Sequence, residues 1–438
     1  SKQWRSAARR ILIEEMERQV HPDGGHKELA TGYQLFVMQF FLFAGLAGRN
    51  TDDDFPREYW SRLERMFEYI AALMEGGALP QFNDCDDGYV LDLGGQKGDP
   101  RGLLSVAATI FERPDFVGVA EDQNEASIWL LGDSPALSPA DEASLRPLAS
   151  RAFSDTGVHL LQAGTTGNRS AVSLSLDCGS LGFGAIAAHG HADALSITLR
   201  VAGLEFLVDP GTYDYFTHPV WRNYFRSTRA HNTIEVDGRD QSEMRGPFLW
   251  GRRAEARCLS WTDHDDMARI EAEHDGYERL DEPVMHRRIV ELDKPAFAIQ
   301  IKDELIGQGS HSVRQYFHFA PECRVDVLSP HRVRATREAV SIDLAFDPQA
   351  TITVFRGHDA DPASPDFGLG HVSRRYHERI SAVTIAASCK IAGSVQLITS
   401  ISANPNSADP VMTSDLLEGY NPASQGHTER SECSSTQD

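Results

Sequence analysis

The hydrophobic pattern of this chain changes period once, near residue 150, and that change limits it to a helical part followed by a β part. Before it, apolar residues recur at helical spacing. The stretch 4–20 sets Ala8, Ile11, Ile13 and Met16 among charged neighbours, 29–46 is almost wholly apolar, and 59–74 carries Trp60, Leu63, Met66, Phe67, Ile70 and Leu73. Shorter helical patterns occupy 102–111 and 125–131. From about residue 151 the rhythm becomes one of short alternating segments, such as 158–162, 170–176, 289–292, 297–301 and 352–355, which is the pattern of half-buried strands in a sandwich. The expectation is a multidomain α+β chain: helices of a bundle or toroid over 1–150, an antiparallel β-sandwich over 151–403, and a disordered tail over 404–438, where large apolar residues become scarce. At 438 residues the chain exceeds the size at which one core usually stops growing.

Composition excludes some functions. The formal charge of −22 opposes non-specific nucleic-acid binding, which rests on basic surface. No run reaches the roughly 18 apolar residues of a membrane span, and 35–46, interrupted by Gln39, reads as a buried helix. Six cysteines lack any Cys-x-x-Cys pair, so neither a disulfide framework nor a thiolate metal site is signalled. The acidic 83–88 segment lacks the register of a calcium loop and reads as a solvated turn. Gly182-Phe-Gly184 is not followed by a helix, so no phosphate loop is expected.

Imidazoles and carboxylates are concentrated within a short span: His189, His191, Asp193, Asp209 and His231. That ligand chemistry suits zinc. Residues two apart on a strand share a face, and the parity of His189 and His191 continues through Leu195, Ile197, Leu199 and Val201, so a strand would set both histidines in line with its buried face. A two-residue hairpin at Ala202-Gly203 would pair Asp209 near Ser196, and the 187–193 segment would then have to curl back over the sheet to meet it. Arg222, Arg226 and Arg229 stand beside Trp221, Tyr224 and Phe225, a cationic and aromatic set suited to carboxylates and sugar rings.

The runs His189-Gly-His191-Ala-Asp193, Val208-Asp209-Pro-Gly211-Thr-Tyr213 and Trp221 through Gly238 resemble the heparinase II/III-like family of polysaccharide lyases, as do 285–319 and the segment from Asp23-Gly24 through Glu28 to Tyr33. In that last segment Ala30 stands where serine is usual. The resemblance covers roughly 10–400. It implies cleavage of uronic-acid polysaccharides by β-elimination, with Tyr33 transferring protons, His189 beside the sugar carboxylate, and Glu28, Tyr213, Tyr215, Arg222 and Arg226 lining the substrate site. It implies a structural zinc on His191, Asp209 and His231, with Asp193 holding a ligand imidazole from behind. It further implies an acidic polysaccharide or oligosaccharide as partner and a periplasmic or extracellular location rather than a cytoplasmic one. In the family, toroid helices preceding the Tyr33 segment supply further asparagine and histidine residues, so the helical part here is expected to be an N-terminally truncated toroid.

Three functions follow as expectations: a zinc-containing uronate polysaccharide lyase, a non-catalytic relative that binds acidic glycan, and a metal-dependent glycan hydrolase in which His189, His191, Asp209 and His231 activate water.

Overall fold

A computed structural model describes residues 2–51, 53–91, 98–120, 125–132, 146–166, 171–357 and 361–404. The proposed tail, apart from Asn404 at the end of the last strand, lies outside the described residues.

Helices come first. They are α1 (Lys2–Gln19), α2 (Thr31–Arg49), α3 (Arg57–Met74), α4 (Arg101–Phe111), α5 (Pro114–Ala120) and α6 (Glu125–Leu131). Their apolar faces form one core in which Leu42, Leu63, Met66, Phe67, Ile70 and Leu104 are buried. The apolar helix α2 is long and hydrophobic enough to cross a membrane by length and composition, but half of that window is buried inside the protein. It packs against α3, where the Tyr59 hydroxyl donates to the Phe41 carbonyl at 2.6 Å. The Asp23-Gly24 pair has a structural task. Asp23 accepts from the backbone of Asp155 and Thr156 and from the Thr156 hydroxyl, while Gly24, at φ +99°, lies so close to the Arg65 carbonyl that a Cβ would come within 2.1 Å of it. Only glycine fits there.

Strands follow, all antiparallel. An uncrossed meander joins β1 (Arg151–Phe153), β2 (Val158–Ala163), β3 (Val172–Asp177), β4 (Ile197–Val201) and β5 (Leu204–Leu207). The hairpin at Ala202-Gly203 is present, with both residues at positive φ and Val201 paired to Leu204, as a two-residue turn of the primed type requires. An eight-stranded sheet runs from Arg324–Ser329 at one edge to Ala256–Asp263 at the other, and a four-stranded sheet centres on Val383–Ala392 and Ser310–His318. These three sheets share one continuous core that includes Leu174, Leu199, Ile270, Val290, Ile301 and Ile385.

Buried polar groups fasten the parts together. Arg288 lies on Val284–Asp293 in the eight-stranded sheet and makes a bidentate pair with Asp303. Its remaining nitrogen donates to the carbonyls of Leu195 and Asn232, each at 2.7 Å. Asn232 in turn donates to Ile197 and Val208 carbonyls and accepts from the His318 amide. Arg200, on β4, reaches into the helical part and donates to the carbonyls of Leu73 and Ala78 and to Ser173. Arg200 is 1% exposed, so truncating it leaves buried carbonyls without donors. Arg200→Leu is expected to lower stability by about 3 kcal/mol, read as a fall in the chemical-unfolding midpoint, whereas Arg10→Leu on the exposed face of α1 leaves it unchanged.

Candidate active site and metal centre

The site is built where the helical part meets the loops of the first sheet, and the segment 82–87 is the joint. Thr31, at the start of α2, exchanges two hydrogen bonds with the backbone of Phe82. Asn83 accepts from the His191 amide at 2.6 Å, the Asp84 amide donates to the His189 carbonyl at 3.2 Å, and the Cys85 amide donates to the Thr212 hydroxyl at 2.8 Å. Asn83 and Asp84 are buried, which corrects the expectation of a solvated turn at 83–88 for its first two residues, while Asp86 and Gly88 are exposed as expected. Sequence reading missed them because a run of acidic residues with a glycine looks like surface, and burial here is conferred by partners far along the chain.

Asp84 gathers the site. Its carboxylate accepts from both terminal nitrogens of Arg222, sits 3.2 Å from His189 Nδ1 and 2.9 Å from His191 Nε2. Burial by itself would raise its pKa, but the Arg222 guanidinium and the two imidazoles outweigh that and hold it well below the ordinary carboxylate range.

His189 and His191 are not on a strand. The first strand after them is β4, and 182–196 is a series of turns with Ala187 and Leu195 at positive φ. Gly190 lies against the Leu181 carbonyl, where a Cβ would approach to 1.6 Å, and extended backbone is thereby replaced by a tight curl. Period-two spacing was therefore coincidental as geometry, although both rings still reach one carboxylate from neighbouring positions.

The Tyr33 ring lies 4.1 Å from the His189 ring, and the Tyr33 hydroxyl is 3.1 Å from that of Tyr215 and donates to Asp86 at 3.2 Å. Burial pushes the phenols of Tyr33 and Tyr215 upward, so both are kept protonated. Phe248 packs edge-on to His189 and Tyr215, exposed Phe216 leans on Phe248, and Tyr376 stands 5.1 Å from Tyr215. Half-buried Glu28 is close enough for its carboxyl, raised by burial, to feel His189 and Asp84. Phe216, Phe248 and Tyr376 escaped sequence reading because isolated aromatics on separate loops carry no spacing signal.

Other expected residues have different tasks. Arg222 and Arg226 are buried; Arg222 is committed to Asp84 and the Pro247 carbonyl, and Arg226 to the carbonyls of Gly246 and Pro247 over the Trp250 ring. Neither guanidinium is free to hold a substrate carboxylate. The Tyr213 ring makes its contacts with His218, Trp221, Phe225 and His377, not with Tyr33 or His189. A cavity of about 240 Å³ is lined by Thr31, Cys85, Arg200 and Asp209 among others and does not include Tyr33 or His189.

On the buried side, His191, Asp209 and His231 come together with ligand atoms within 4.8 Å of one another. They arrive from three places: the turn before β4, the exit of β5, and the end of the short 3-10 turn Thr228–Ala230. The tautomers follow from their partners. His231 Nδ1 is 2.8 Å from the Ser227 carbonyl, an acceptor only, so this nitrogen carries the proton. His191 Nε2 faces Asp84 and carries its proton for the same reason. The other two nitrogens, His191 Nδ1 and His231 Nε2, therefore face each other at 3.2 Å as lone pairs, with Asp209 Oδ2 at 3.4 Å. Burial lowers the pKa of both histidines and raises Asp209 to about 8. A cation that displaced the Asp209 proton would meet a lone pair on each of the three, and the donor set fits one. Asp193 makes no bond to either imidazole; the carboxylate that orients a ligand ring is Asp84. A second group, Asp214, His218 and His377, is also close, but the Asp214 carboxylate is occupied by the amides of Phe216, Thr217 and His218 and by the His218 ring.

Because the folded pKa of Asp84 is depressed, its stabilisation is complete above the unfolded value near 4 and is lost as pH falls further. Asp84→Asn is expected to cost about 3–5 kcal/mol, the penalty for stranding a buried guanidinium. Unfolding midpoints measured from pH 6 down to pH 3 should fall more steeply for the native chain than for the variant.

The family model described as "Heparinase II/III-like, C-terminal" matches residues 145–402, and that described as "Heparinase II/III N-terminus" matches residues 1–91. A heparin-sulfate lyase of Pedobacter heparinus is 24% identical over 248 residues, covering 55% of this chain and 33% of that protein. A heparin-sulfate lyase of Bacteroides thetaiotaomicron is 22% identical over 337 residues, covering 73% of this chain and 43% of that protein. The chain thus spans less than half the length of these curated relatives. Among solved structures, a heparinase III superposes with a TM-score of 0.68 at 19% identity, over 93% of this chain and 57% of the other. A heparan sulfate lyase from Pedobacter heparinus superposes with a TM-score of 0.66 at 18% identity, over 92% and 56%; at these identities the likeness is one of fold. With family models matching at both ends and the larger of them covering more than half of the residues, the chain belongs to the heparinase II/III-like family.

Proposed function

We propose that this chain carries the catalytic centre of a polysaccharide lyase that cleaves uronic-acid-containing chains by β-elimination, with its helices forming part of an α/α toroid and its sheets a β-sandwich. The observation that carries the reading is the Tyr33–His189–Tyr215 cluster: two protonated phenols and an imidazole in contact, walled by aromatic rings. β-Elimination removes the weakly acidic proton at C5 of the uronate and expels the 4-linked oxygen. A positioned donor beside the carboxylate stabilises the developing enolate. His189, braced by Asp84, fits that place. Tyr33 fits both proton transfers: its phenolic proton passes to the departing oxygen as the C5 proton passes to the phenol oxygen, which restores the phenol. Glu28 and Tyr215 flank the same pair, and the aromatic wall of Phe248 and Phe216 suits the apolar faces of sugar rings. The curated relatives' activity on heparin sulfate supports an acidic polysaccharide as substrate, and the family resemblance a periplasmic or extracellular location.

The residues His191, Asp209 and His231 would hold zinc, which when bound supplies a fixed positive charge and a covalent anchor among three chain segments. All three side chains are buried, which favours a structural metal over activation of water for hydrolysis. The ligand His191 shares Asp84 with His189, so anchoring one ring steadies the other.

Two measurements test this reading. Incubation with a panel of acidic polysaccharides should raise the ultraviolet absorbance of a conjugated unsaturated uronate, and Tyr33→Phe should lower the rate by about 10²–10⁴-fold while leaving glycan binding in place. Binding without product, indifferent to Tyr33→Phe, would instead favour a non-catalytic glycan-binding relative. Elemental analysis should find about one zinc per chain, lost in His231→Ala; retention of zinc in that variant would remove the proposed ligand set.

A further inference from the structure

A small cavity that none of His191, Asp209 and His231 lines has Asp177, Asp193, Gln241 and Ser242 in its wall. Its free space is about 10 Å³, room for one water-sized occupant. Asp177 ends β3, and its backbone is bonded to Leu195 and Ser196; Asp193 opens the turn that closes on Ser196. The two carboxylates are thus presented to the cavity by paired backbone.

Its polar inventory is one-sided. Asp177 and Asp193 are buried, and neither has a cationic partner among the described residues. One Asp177 oxygen accepts from the Gly179 amide at 2.7 Å. Gln241 is 1% exposed. Its amide nitrogen donates to the Ala194 carbonyl at 2.9 Å and to Thr233 Oγ1 at 3.3 Å, which fixes the amide orientation, because a carbonyl oxygen in that place would face another carbonyl. Its own oxygen, Oε1, is left buried without a hydrogen-bond partner. The Ser242 hydroxyl accepts from the Ala254 amide, leaving its other lone pair. Two carboxylates and an orphaned amide oxygen around one small space have no counter-charge of their own, and a buried charge without a partner is costly.

We propose that the cavity lined by Asp177, Asp193 and Gln241 is a second metal site, specific for a hard divalent cation and in particular calcium, distinct from the zinc ligands. The donors are all oxygen, which excludes the nitrogen-seeking metals that the His191 site favours. Calcium accepts irregular, water-poor oxygen shells, whereas magnesium keeps several waters for which this space has no room. Bound there, calcium ties the end of β3 to the 193–196 turn and to Gln241, and so fixes the loop that carries His191 from behind. The site stands independently of the lyase reading, since it needs no substrate.

Calcium, magnesium and manganese(II) are titrated calorimetrically into the zinc-loaded chain, alongside Asp177→Asn and Gln241→Leu. The expected result is one equivalent of calcium bound beyond the zinc, with manganese(II) in the same place, magnesium at least tenfold weaker, and calcium affinity lowered at least tenfold in both variants while zinc content stays unchanged. A folded native chain that binds none of the three cations overturns the proposal, as does calcium binding that neither variant weakens. Should Asp177→Asn fail to fold, Gln241→Leu, which removes a neutral oxygen already without a partner, decides alone. A rise in the thermal midpoint of Asp177→Asn with no calcium response in the native chain assigns the cavity to a proton shared between the carboxylates and likewise overturns it.

Discussion

The Asp84 carboxylate is the constraint on which this site depends. One buried side chain takes a bidentate guanidinium from Arg222 and touches two imidazoles, His189 beside Tyr33 and His191 beside Asp209 and His231. A carboxylate cannot remain ionised in a dry interior unless its oxygens are filled by donors, and Asp84 is filled by groups from two distant loops. The helical part and the sheet part therefore meet in a single charge cluster. Displacing any of its members would strand another, which makes the joint between the two parts specific rather than merely apolar.

Around that cluster the fold supplies rigidity at successive depths. Asn232 and Arg288 bind the carbonyls next to the site, so the turn before β4 and the segment holding His231 are fixed to three strands at once. The resulting geometry brings His191, Asp209 and His231 together with their lone pairs inward, because each imidazole spends its proton on an acceptor behind it. The Asp84 carboxylate alone stands between the His189 ring, packed on Tyr33, and the His191 ring, grouped with Asp209 and His231.

Much of the fold was legible from residues alone. Helical periodicity placed α1, α2, α3, α4 and α6 to within a few residues, since amphipathic spacing is a local property, while the short α5 carried too little pattern to register. Short apolar segments gave some of the strands, among them Val158–Ala163, Val172–Asp177 and Thr351–Arg356, and Ala202-Gly203 gave its hairpin, because a two-residue turn needs residues that tolerate positive φ. That His191, Asp209 and His231 would lie together was legible through family resemblance, and the requirement that 187–193 curl back followed from hairpin register. The strand assigned to His189 and His191 was not correct, because Gly190 packed against the Leu181 carbonyl decides the backbone there and that contact has no local signature.

The sequence by itself determined the order of helices and strands and the types of side chain available for proton transfer and metal binding, which rest on local pattern and chemistry. Only the tertiary structure decided which of those side chains act together. Arg222 and Arg226 read as substrate-binding cations until burial showed them spent on Asp84 and on backbone carbonyls, and Asp84 and Asn83 read as solvated loop until they were found enclosed. The physical reason is that burial and hydrogen-bond partnership are set by residues far along the chain, 138 positions away for Asp84 and Arg222 and 20 or 21 for Arg226 and its carbonyls, which no single helical turn or strand contains.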